Sequence, residues 1–306
     1  MLLDDFITLQ GYNCILGNIC NTMNYFNVNI SEQDLFFLFS PFDGDRNLSE
    51  AFDKLYEDKG NNKWRDFVQK GLNDGYPIMI SINPNVLPYI NVEVGDSLTK
   101  HYVNIIGMDE KEKKLYVSDS YIPTYIPSTY EGWIDYNGIS DIDIGNCWRI
   151  KEDSIVYFRN NYRSNDVNNL TLHYVKKRLS CFLIKTDDEQ KSVGIDDLQT
   201  LGEVVINSVQ NNNHQEMFKL LAGIRLNIIN PLKYLISVFY RYPDKYGDWI
   251  TKLHNLVNVH WESLNIKLLK FALAHKKLDV DLLKKLLNDA IELENIVLND
   301  ILKYLS

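Results

Sequence analysis

The sequence predicts an α+β fold for the first half of the chain, followed by an all-helical domain. Helical patterns come before residue 75, short apolar runs of the β type follow, and helical spacing returns from about residue 166 almost to the end. Helices first and a sheet second is typical of α+β domains. Since 306 residues exceed the usual size of one domain, we expect domains at residues 1–160 and 166–306.

Three helices are predicted in the first 75 residues. The first begins at Cys14, where apolar residues recur at helical spacing directly after Gly11-Tyr12-Asn13. The second begins at Ser31, which is a suitable N-cap and is followed by acidic residues in the first turn. The third covers roughly residues 64–73 and ends near Gly75.

The β-type runs come next. Two of them, separated by a turn at residues 108–111, form a predicted antiparallel hairpin. The predicted strands are Ile78–Ile82, Tyr102–Ile106, Lys114–Ser118 and a further strand at Ile155–Phe158. An asparagine-rich stretch, residues 160–169, is the predicted linker.

The second half has helical spacing interrupted at a few punctuating residues, namely Gly194, Asn211–Asn213, Asn230-Pro231 and Pro243. Asn230 and Pro231 have the pattern of an N-cap followed by a proline in the first helical position. The last segment, residues 278–305, is strongly amphipathic, which favours packing of its apolar side in a core.

Charge and composition exclude several classes of function. The chain has a net charge of −9, and residues 1–160 alone have 13 basic against 24 acidic side chains, so we expect no nucleic-acid binding. No run of eighteen apolar residues and no basic leader is present, so we expect no membrane span and a cytoplasmic location. Four cysteines without C-x-x-C spacing favour a reduced compartment over a disulfide scaffold.

The residues whose types and positions best suit catalysis are Cys14, His101 and Asp119. A cysteine in the first turn of a helix meets unpaired backbone N–H groups and the positive end of the helix dipole, which favour thiolate over thiol. His101 opens one strand of the hairpin and Asp119 closes the other, and a hairpin centred at residue 110 places them side by side. Asp119 would then orient the imidazole while its other nitrogen faces the thiol.

Other interpretations of these residues stay open. Asp109 competes for the acidic role, although it fits the tip of the hairpin. Cys14 could be a buried small apolar residue, His101 a histidine at a strand edge and Asp119 a turn former. The remaining cysteines are expected in the core: Cys20, Cys147 and Cys181. Gln10 and Asn13 are the upstream amides that could help the Cys14 N–H to hold an oxyanion.

We expect neither a metal nor a bound cofactor. The other five histidines all lie in the helical half and show no H-E-x-x-H or zinc-ligand spacing: His173, His214, His254, His260 and His275. No G-x-G-x-x-G, Walker-type or G-x-S-x-G motif is present, which argues against nucleotide binding and serine hydrolysis.

Residues 75–120 contain a series of motifs that resemble a known family. Gly75-Tyr76-Pro77-Ile78 opens a strand, Leu87-Pro88-Tyr89 follows, His101–Asp109 is a histidine strand with a Gly-x-Asp turn, and Tyr116-Val117-Ser118-Asp119 ends in an acid. This run resembles the butirosin-biosynthesis H-type amino-terminal domain family, a relative of papain-like and C39-type cysteine peptidases. The resemblance covers roughly residues 8–160. Two differences are that Asn13-Cys14-Ile15-Leu16 replaces His-Cys-x-Ser, and that Asn83 replaces an aspartate.

The resemblance implies a papain-like core, in which a cysteine-bearing helix packs on an antiparallel sheet. It also implies transfer of an acyl or aminoacyl group through a Cys14 thioester to a small-molecule amine in specialised-metabolite biosynthesis. The donor would be an acyl or peptidyl carrier protein, whose substrate thioester is borne on phosphopantetheine. By the same resemblance Asn83 and Tyr89 are candidates for substrate binding.

Two other functions remain open at this point. A C39-like peptidase, or a hydrolase of thioesters or amides, would use the same three residues with water as acceptor. A catalytically silent binding module would use the helical half, with its apolar strip in 278–305, as a protein interface.

Overall fold

The structure is a computed structural model that describes residues 1–39, 54–60, 62–90, 100–122, 128–161, 174–175, 195–274 and 278–305. The chain divides into two compact units. The first comprises Met1–Leu35 and Ser49–Arg163, and the second Phe36–Leu48 and Ser164–Ser306. The second unit thus includes a short segment, 36–48, from within the first half of the sequence.

The first unit has an α+β fold, as the sequence predicted. Its helices are α1 (Cys14–Tyr25), the first turn of α2 (Glu32–Phe39), α3 (Trp64–Asn73) and α4 (Glu152–Asn161). Its strands form a six-stranded antiparallel sheet in the order β1-β6-β2-β3-β4-β5. The strands are β1 (Tyr56–Asp58), β2 (Ile78–Ile82), β3 (His101–Asp109), β4 (Lys114–Ile122), β5 (Ser128–Asp135) and β6 (Ile144–Ile150).

The apolar core lies between α3 and the middle of the sheet. Trp64, Val68 and Leu72 are spaced at one helical turn and are all buried, so they form one side of α3. They pack with alternate residues of the central strands, such as Ile78 and Val103. Every residue of β2 is buried, as expected for a strand between two neighbours and under a helix.

One predicted strand is wrong. Residues 155–158 lie within α4, and their burial follows a helical period: Ile155 and Phe158 are buried, whereas Val156 and Tyr157 between them are exposed. Glu152 and the following aspartate supply acidic residues to the first turn, which favours a helix start. An apolar run this short does not by itself distinguish the helical repeat from the two-residue alternation of a strand.

Three strands were not predicted. β1 has only three residues, and β5 is an edge strand with mostly exposed or half-buried side chains, so neither has the apolar run of a central strand. β6, which lies between β1 and β2, contains a glycine, an asparagine and an arginine among its seven residues.

The described part of the second unit is helical apart from its turns. Its longer helices are α5 (Ile195–Gln210), α6 (His214–Ile224), α7 (Asn230–Phe239), α8 (Pro243–His254), α9 (Glu262–Ala274) and α10 (Val280–Leu305). The predicted interruptions at 211–213 and at Pro243 are confirmed, whereas Gly194 and the whole linker except its first two residues lie outside the described residues. In α10 the apolar strip is buried in this unit's core, including Leu283, Leu287 and Ile301.

The predicted interruption at Asn230-Pro231 is wrong. Asn230 has helical angles, φ −65° and ψ −44°, and the chain passes from α6 through a π-helical segment, Arg225–Ile229, directly into α7. A π-helical segment widens the backbone before the proline, which lets the helix continue although Pro231 has no N–H to donate. Of the described helices, none combines the length and the apolar composition needed to cross a bilayer.

We predict that Trp261→Phe destabilises the chain. Trp261 ends a second π-helical segment, Asn255–Trp261, and its indole N–H donates to the buried Glu294 carboxylate at 3.0 Å. Loss of this donor from a buried charged acceptor should lower the free energy of unfolding by about 2 kcal/mol. Urea unfolding measures this, with Trp249→Phe at a half-buried position as control. Equal stability of both variants would contradict it.

Candidate active site

Cys14 is the first residue of α1 and is half-buried. Asn13 is the N-cap: its side-chain oxygen accepts hydrogen bonds from the Ile15 and Leu16 amides at 2.8 and 3.2 Å. This cap satisfies the second and third amides of the helix and does not use the Cys14 N–H. The helix therefore starts as predicted, with the thiol at its positive end.

A glycine lets the amino-terminal end of α1 lie very close to β4. A Cβ built on Gly17 would stand 2.5 Å from the Ser120 Oγ and 3.3 Å from the Cα of Gly11. The Gly11 amide also donates to the Ser120 carbonyl at 2.8 Å, so the segment before the cysteine adds to the same strand. Any larger side chain at 17 would push the first turn of α1 away from β4.

Asn18 holds α1 between the ends of two strands. Its amide nitrogen donates to the Tyr102 carbonyl on β3 at 2.7 Å, and its oxygen accepts from the Ser120 N–H on β4 at 3.4 Å. The β3–β4 pairing ends at Asn104 and Ser118, and the same register continued by two residues would place residue 102 opposite residue 120. The Asn18 carboxamide thus replaces a ladder hydrogen bond where the strands separate. The Asn104 side-chain amide in turn donates a hydrogen bond to the Asn18 backbone carbonyl at 2.9 Å.

The prediction placed His101 directly opposite Asp119, and the observed hairpin register differs from it by two residues. Near the turn Asp109 is opposite Lys114, and a bulge at Ile106 brings Ile105 opposite Val117. Continued from there, the register leaves His101 two residues from direct opposition to Asp119, so both side chains share one face and meet diagonally. Without the bulge, the register at the turn would have placed them on opposite faces.

His101 and Asp119 form a buried pair. The imidazole Nε2 lies 2.7 Å from the Asp119 Oδ2, and the two side chains are 1% and 0% exposed. The same oxygen accepts from the Tyr89 hydroxyl at 3.2 Å, while Oδ1 accepts from the Tyr121 amide at 3.1 Å. Both carboxylate oxygens therefore have donors, which a buried carboxylate needs.

The Cys14 thiol is near enough to the imidazole to contribute to the raised pKa of His101. Since Nε2 is bonded to Asp119, the nitrogen left for the sulfur is Nδ1. Burial alone lowers the pKa of His101, but the Asp119 carboxylate and the hydrogen bonds to Asp119 and Cys14 outweigh it and raise the pKa to about 10. At neutral pH the imidazole is therefore protonated and can balance a thiolate at Cys14.

The segment before Cys14 is anchored by contacts that the sequence analysis missed. The Thr8 hydroxyl contacts the Ser118 hydroxyl at 2.7 Å, and Asn21 exchanges two hydrogen bonds with the backbone of Leu9. The Tyr12 amide donates to both oxygens of Glu32, at 3.0 and 2.8 Å. The one local signal was the placement of asparagines 18 and 21 among apolar residues of α1, where a buried amide needs partners.

The other predicted residues lie as follows. Gln10 is exposed and precedes Gly11 on the anchored segment, while the Asn13 oxygen caps α1 as described. Asn83 caps a short 3₁₀ turn by accepting from the Asn85 amide, and its own amide donates to Asp143 at 3.2 Å. Tyr89 contacts Asp119. Their roles toward an oxyanion or a substrate stay predictions.

Asp109 lies at the tip of the hairpin, where its carboxylate accepts from the Lys111 and Glu112 amides at 2.9 and 3.0 Å. Asp119, not Asp109, is the carboxylate beside His101. Cys20 and Cys147 are buried, as expected, and burial raises the pKa of Cys20 and raises that of Cys147 to about 12. Cys181, His173 and His275 lie outside the described residues. The described side chains contain no cluster of metal-ligating type.

The structure thus brings together a cysteine at a helix start, a histidine and a carboxylate, on one helix and two strands of the α+β unit. No family model matches the chain, and no curated protein matches it either.

We predict that Asn18→Leu both destabilises the chain and disturbs Cys14. The substitution leaves the Tyr102 carbonyl and the Ser120 amide without the Asn18 carboxamide, at roughly 1–3 kcal/mol for each buried group. Urea unfolding and the rate of Cys14 alkylation measure the two effects. Asn24→Leu, at a half-buried position on the last turn of α1, is the matched control. A stable Asn18→Leu protein with unchanged alkylation would show that the Asn18 hydrogen bonds to β3 and β4 are dispensable.

We predict selective alkylation of Cys14 by iodoacetamide at pH 6. Burial raises the pKa of Cys20 and of Cys147, whereas Cys14 lies at a helix amino terminus near His101, whose pKa of about 10 keeps a positive charge close to the sulfur. Peptide mapping should show Cys14 reacting before Cys20, Cys147 and Cys181, and at least about tenfold faster than the buried Cys20 and Cys147.

Asp119→Asn removes the carboxylate that raises the pKa of His101, so the imidazole should lose its proton at lower pH. Alkylation of Cys14 at pH 7 should then slow. Uniform modification of the three cysteines, or sparing of Cys14, would contradict an activated thiolate.

Proposed function

We propose that the protein is a cysteine acyltransferase with a papain-like catalytic unit. It moves an acyl or aminoacyl group from a carrier-protein thioester, through a thioester on Cys14, to a small-molecule amine in specialised-metabolite biosynthesis. The observation that supports acyl chemistry is the buried His101–Asp119 pair together with Cys14, which acts on the pKa of His101 from the amino terminus of α1. The resemblance of residues 8–160 to the butirosin-biosynthesis family supports the choice of donor and acceptor.

In the first step the Cys14 thiolate attacks the carbonyl carbon of the donor thioester. The new carbon–sulfur bond to Cys14 forms, and the bond to the phosphopantetheine sulfur of the carrier breaks. The His101 imidazolium gives its Nδ1 proton to the departing sulfur, which leaves as a thiol. The Cys14 N–H, unused by the Asn13 cap, would donate to the oxyanion at the helix amino terminus.

Acylation changes the proton affinity of His101. The free thiolate is one of the groups that raise the pKa of His101, through a hydrogen bond and its charge. An acylated sulfur carries no charge, so the pKa of the imidazole falls in the intermediate. His101 can then accept a proton from an incoming amine as a general base.

In the second step the amine nitrogen attacks the Cys14 thioester. The carbon–nitrogen bond forms, the carbon–sulfur bond to Cys14 breaks, and the amine proton passes to Nδ1 of His101. The products are the amide and the original pair of thiolate and imidazolium. Asp119 accepts the Nε2–H throughout, as an orienting carboxylate does in a triad.

A hydrolase or C39-like peptidase would use the same residues with water in the second step. The thiolate suits a thioester donor because no amide bond must be broken to load the enzyme. The two functions differ in the acceptor of the second step, which is an amine for the transferase and water for the hydrolase. A silent binding module would leave Cys14 unreactive toward every donor.

We predict that the wild-type protein, incubated with an acyl-pantetheine or acyl-carrier thioester, gains the mass of the acyl group on Cys14. Cys14→Ala should load nothing, because the sulfur that forms the thioester is gone. Cys20→Ala should load normally, since Cys20 is buried and is not among the groups that shift the pKa of His101. Intact-protein mass spectrometry with peptide mapping measures the adduct.

The products formed with a panel of amines then test the transfer step. Amide as the main product with at least one amine supports the transferase. Free acid as the sole product with every amine, or efficient cleavage of unactivated peptides, would replace it by the hydrolase. Absence of any adduct would favour the silent module.

A further inference from the structure

Tyr89 is fixed against the far side of the Asp119–His101 pair. Its hydroxyl donates to Asp119 Oδ2 at 3.2 Å, the same oxygen that lies 2.7 Å from His101 Nε2. Its ring stacks on Tyr130, with centroids 3.8 Å apart and planes inclined by 11°. Tyr130 in turn is opposite Asp119 in the β4–β5 ladder, so one pair of neighbouring strands holds both the carboxylate and the ring that supports Tyr89.

We propose that Tyr89 is a positioning residue of the candidate active site, which orients the Asp119 carboxylate toward His101, and that it is not a substrate-binding residue. This inference rests on the proposed function only for its consequence in catalysis. The geometry supports it because the hydroxyl is already engaged by the carboxylate and the ring is already stacked.

The hydroxyl should act in two ways. A carboxylate group can rotate about its Cβ–Cγ bond, and the Tyr89 hydroxyl with the Tyr121 amide fixes that rotation so that Oδ2 points at Nε2. The hydroxyl also competes with the imidazole for the electron density of the same oxygen. Loss of the hydroxyl would have two opposite effects on the pKa of His101: a freer carboxylate would lower it, and an oxygen no longer shared with Tyr89 would raise it. Because the Tyr121 amide still holds Oδ1, the second effect should be the larger, and the pKa of His101 should rise.

The titratable groups that act on the pKa of His101 are Cys14 on α1 and Asp119 on β4, and those that act on the pKa of Tyr89 are Asp119 and Tyr130 on β5. The β2 residue opposite His101 is the apolar Ile82. Burial first, and then the Asp119 carboxylate, raise the pKa of Tyr89 well above its ordinary value. Tyr89 therefore keeps its proton over the range in which the enzyme would work and remains a donor.

The test compares Tyr89→Phe with a matched control, Tyr116→Phe. Tyr116 is a tyrosine on the same strand as Asp119, and its hydroxyl also donates to a carboxylate, Glu131, at 3.3 Å, but at the surface. The readout is the NMR titration of the His101 imidazole in a Cys14→Ala background. Loss of the thiolate brings its pKa down from about 10 to a more accessible range.

Tyr89→Phe should displace the His101 titration upward by about one pH unit, a roughly tenfold change in proton affinity. Tyr116→Phe should titrate like the parent. Superimposable titrations of Tyr89→Phe and the parent would overturn the proposal, and so would an equal displacement in Tyr116→Phe. A tyrosine that only fills space would not move this titration, because phenylalanine keeps the ring.

A stability cycle keeps the proposal testable if Tyr89→Phe folds poorly. The substitution should cost much less stability, or fold again, when Asp119 is also changed to asparagine, because the carboxylate that lost its donor is then gone. An equal cost in both backgrounds, or no recovery, would overturn the positioning role. Neither measurement needs acyl transfer, so a failure of the proposed function would appear separately, as absence of the Cys14 adduct.

Discussion

The site depends on one constraint: the amino terminus of α1 must fit where β3 and β4 separate. A helix cannot continue a sheet's ladder, so the backbone groups that the separation exposes need another partner, and the Asn18 carboxamide supplies it. Gly17 removes the side chain that would prevent the approach. Together these two residues hold a cysteine on a helix near enough to a histidine on a strand to act on its pKa.

The second constraint is that every buried charge in the site needs a partner. A lone carboxylate as deeply buried as Asp119 would be very costly, but here the imidazolium, a backbone amide and the Tyr89 hydroxyl share its two oxygens. The Cys14 thiolate would complete the set, next to the positive end of α1. Each charge thus has its partner inside the candidate site, so these side chains make one another's burial tolerable. This mutual dependence explains why Tyr89, which touches neither the thiol nor Nδ1, would still influence the proton affinity of His101.

The sequence patterns were most informative where a local rule was decisive. Asn13 before an apolar helical period correctly predicted the helix start at Cys14, and the two apolar runs correctly predicted the β3–β4 hairpin. They failed where two periods look alike over four residues, as at 155–158, which is helical, and where strands lack an apolar run, as in β5 and β6. The predicted register was off by an even number, and because side chains alternate along strands, that error preserved the face shared by His101 and Asp119.

By itself, then, the sequence determined the α+β class, the helix that begins at Cys14 and the hairpin that carries His101 and Asp119. Only the tertiary structure decided that Asn18 bridges β3 and β4, that Ile106 forms a bulge, and that Tyr89 contacts Asp119. The physical reason is distance along the chain. Asn18 lies 84 and 102 residues from its two backbone partners, and Tyr89 lies 30 residues from Asp119. Periodicity and capping rules act over one or two turns, so contacts over such separations are settled only when the helix and the strands pack.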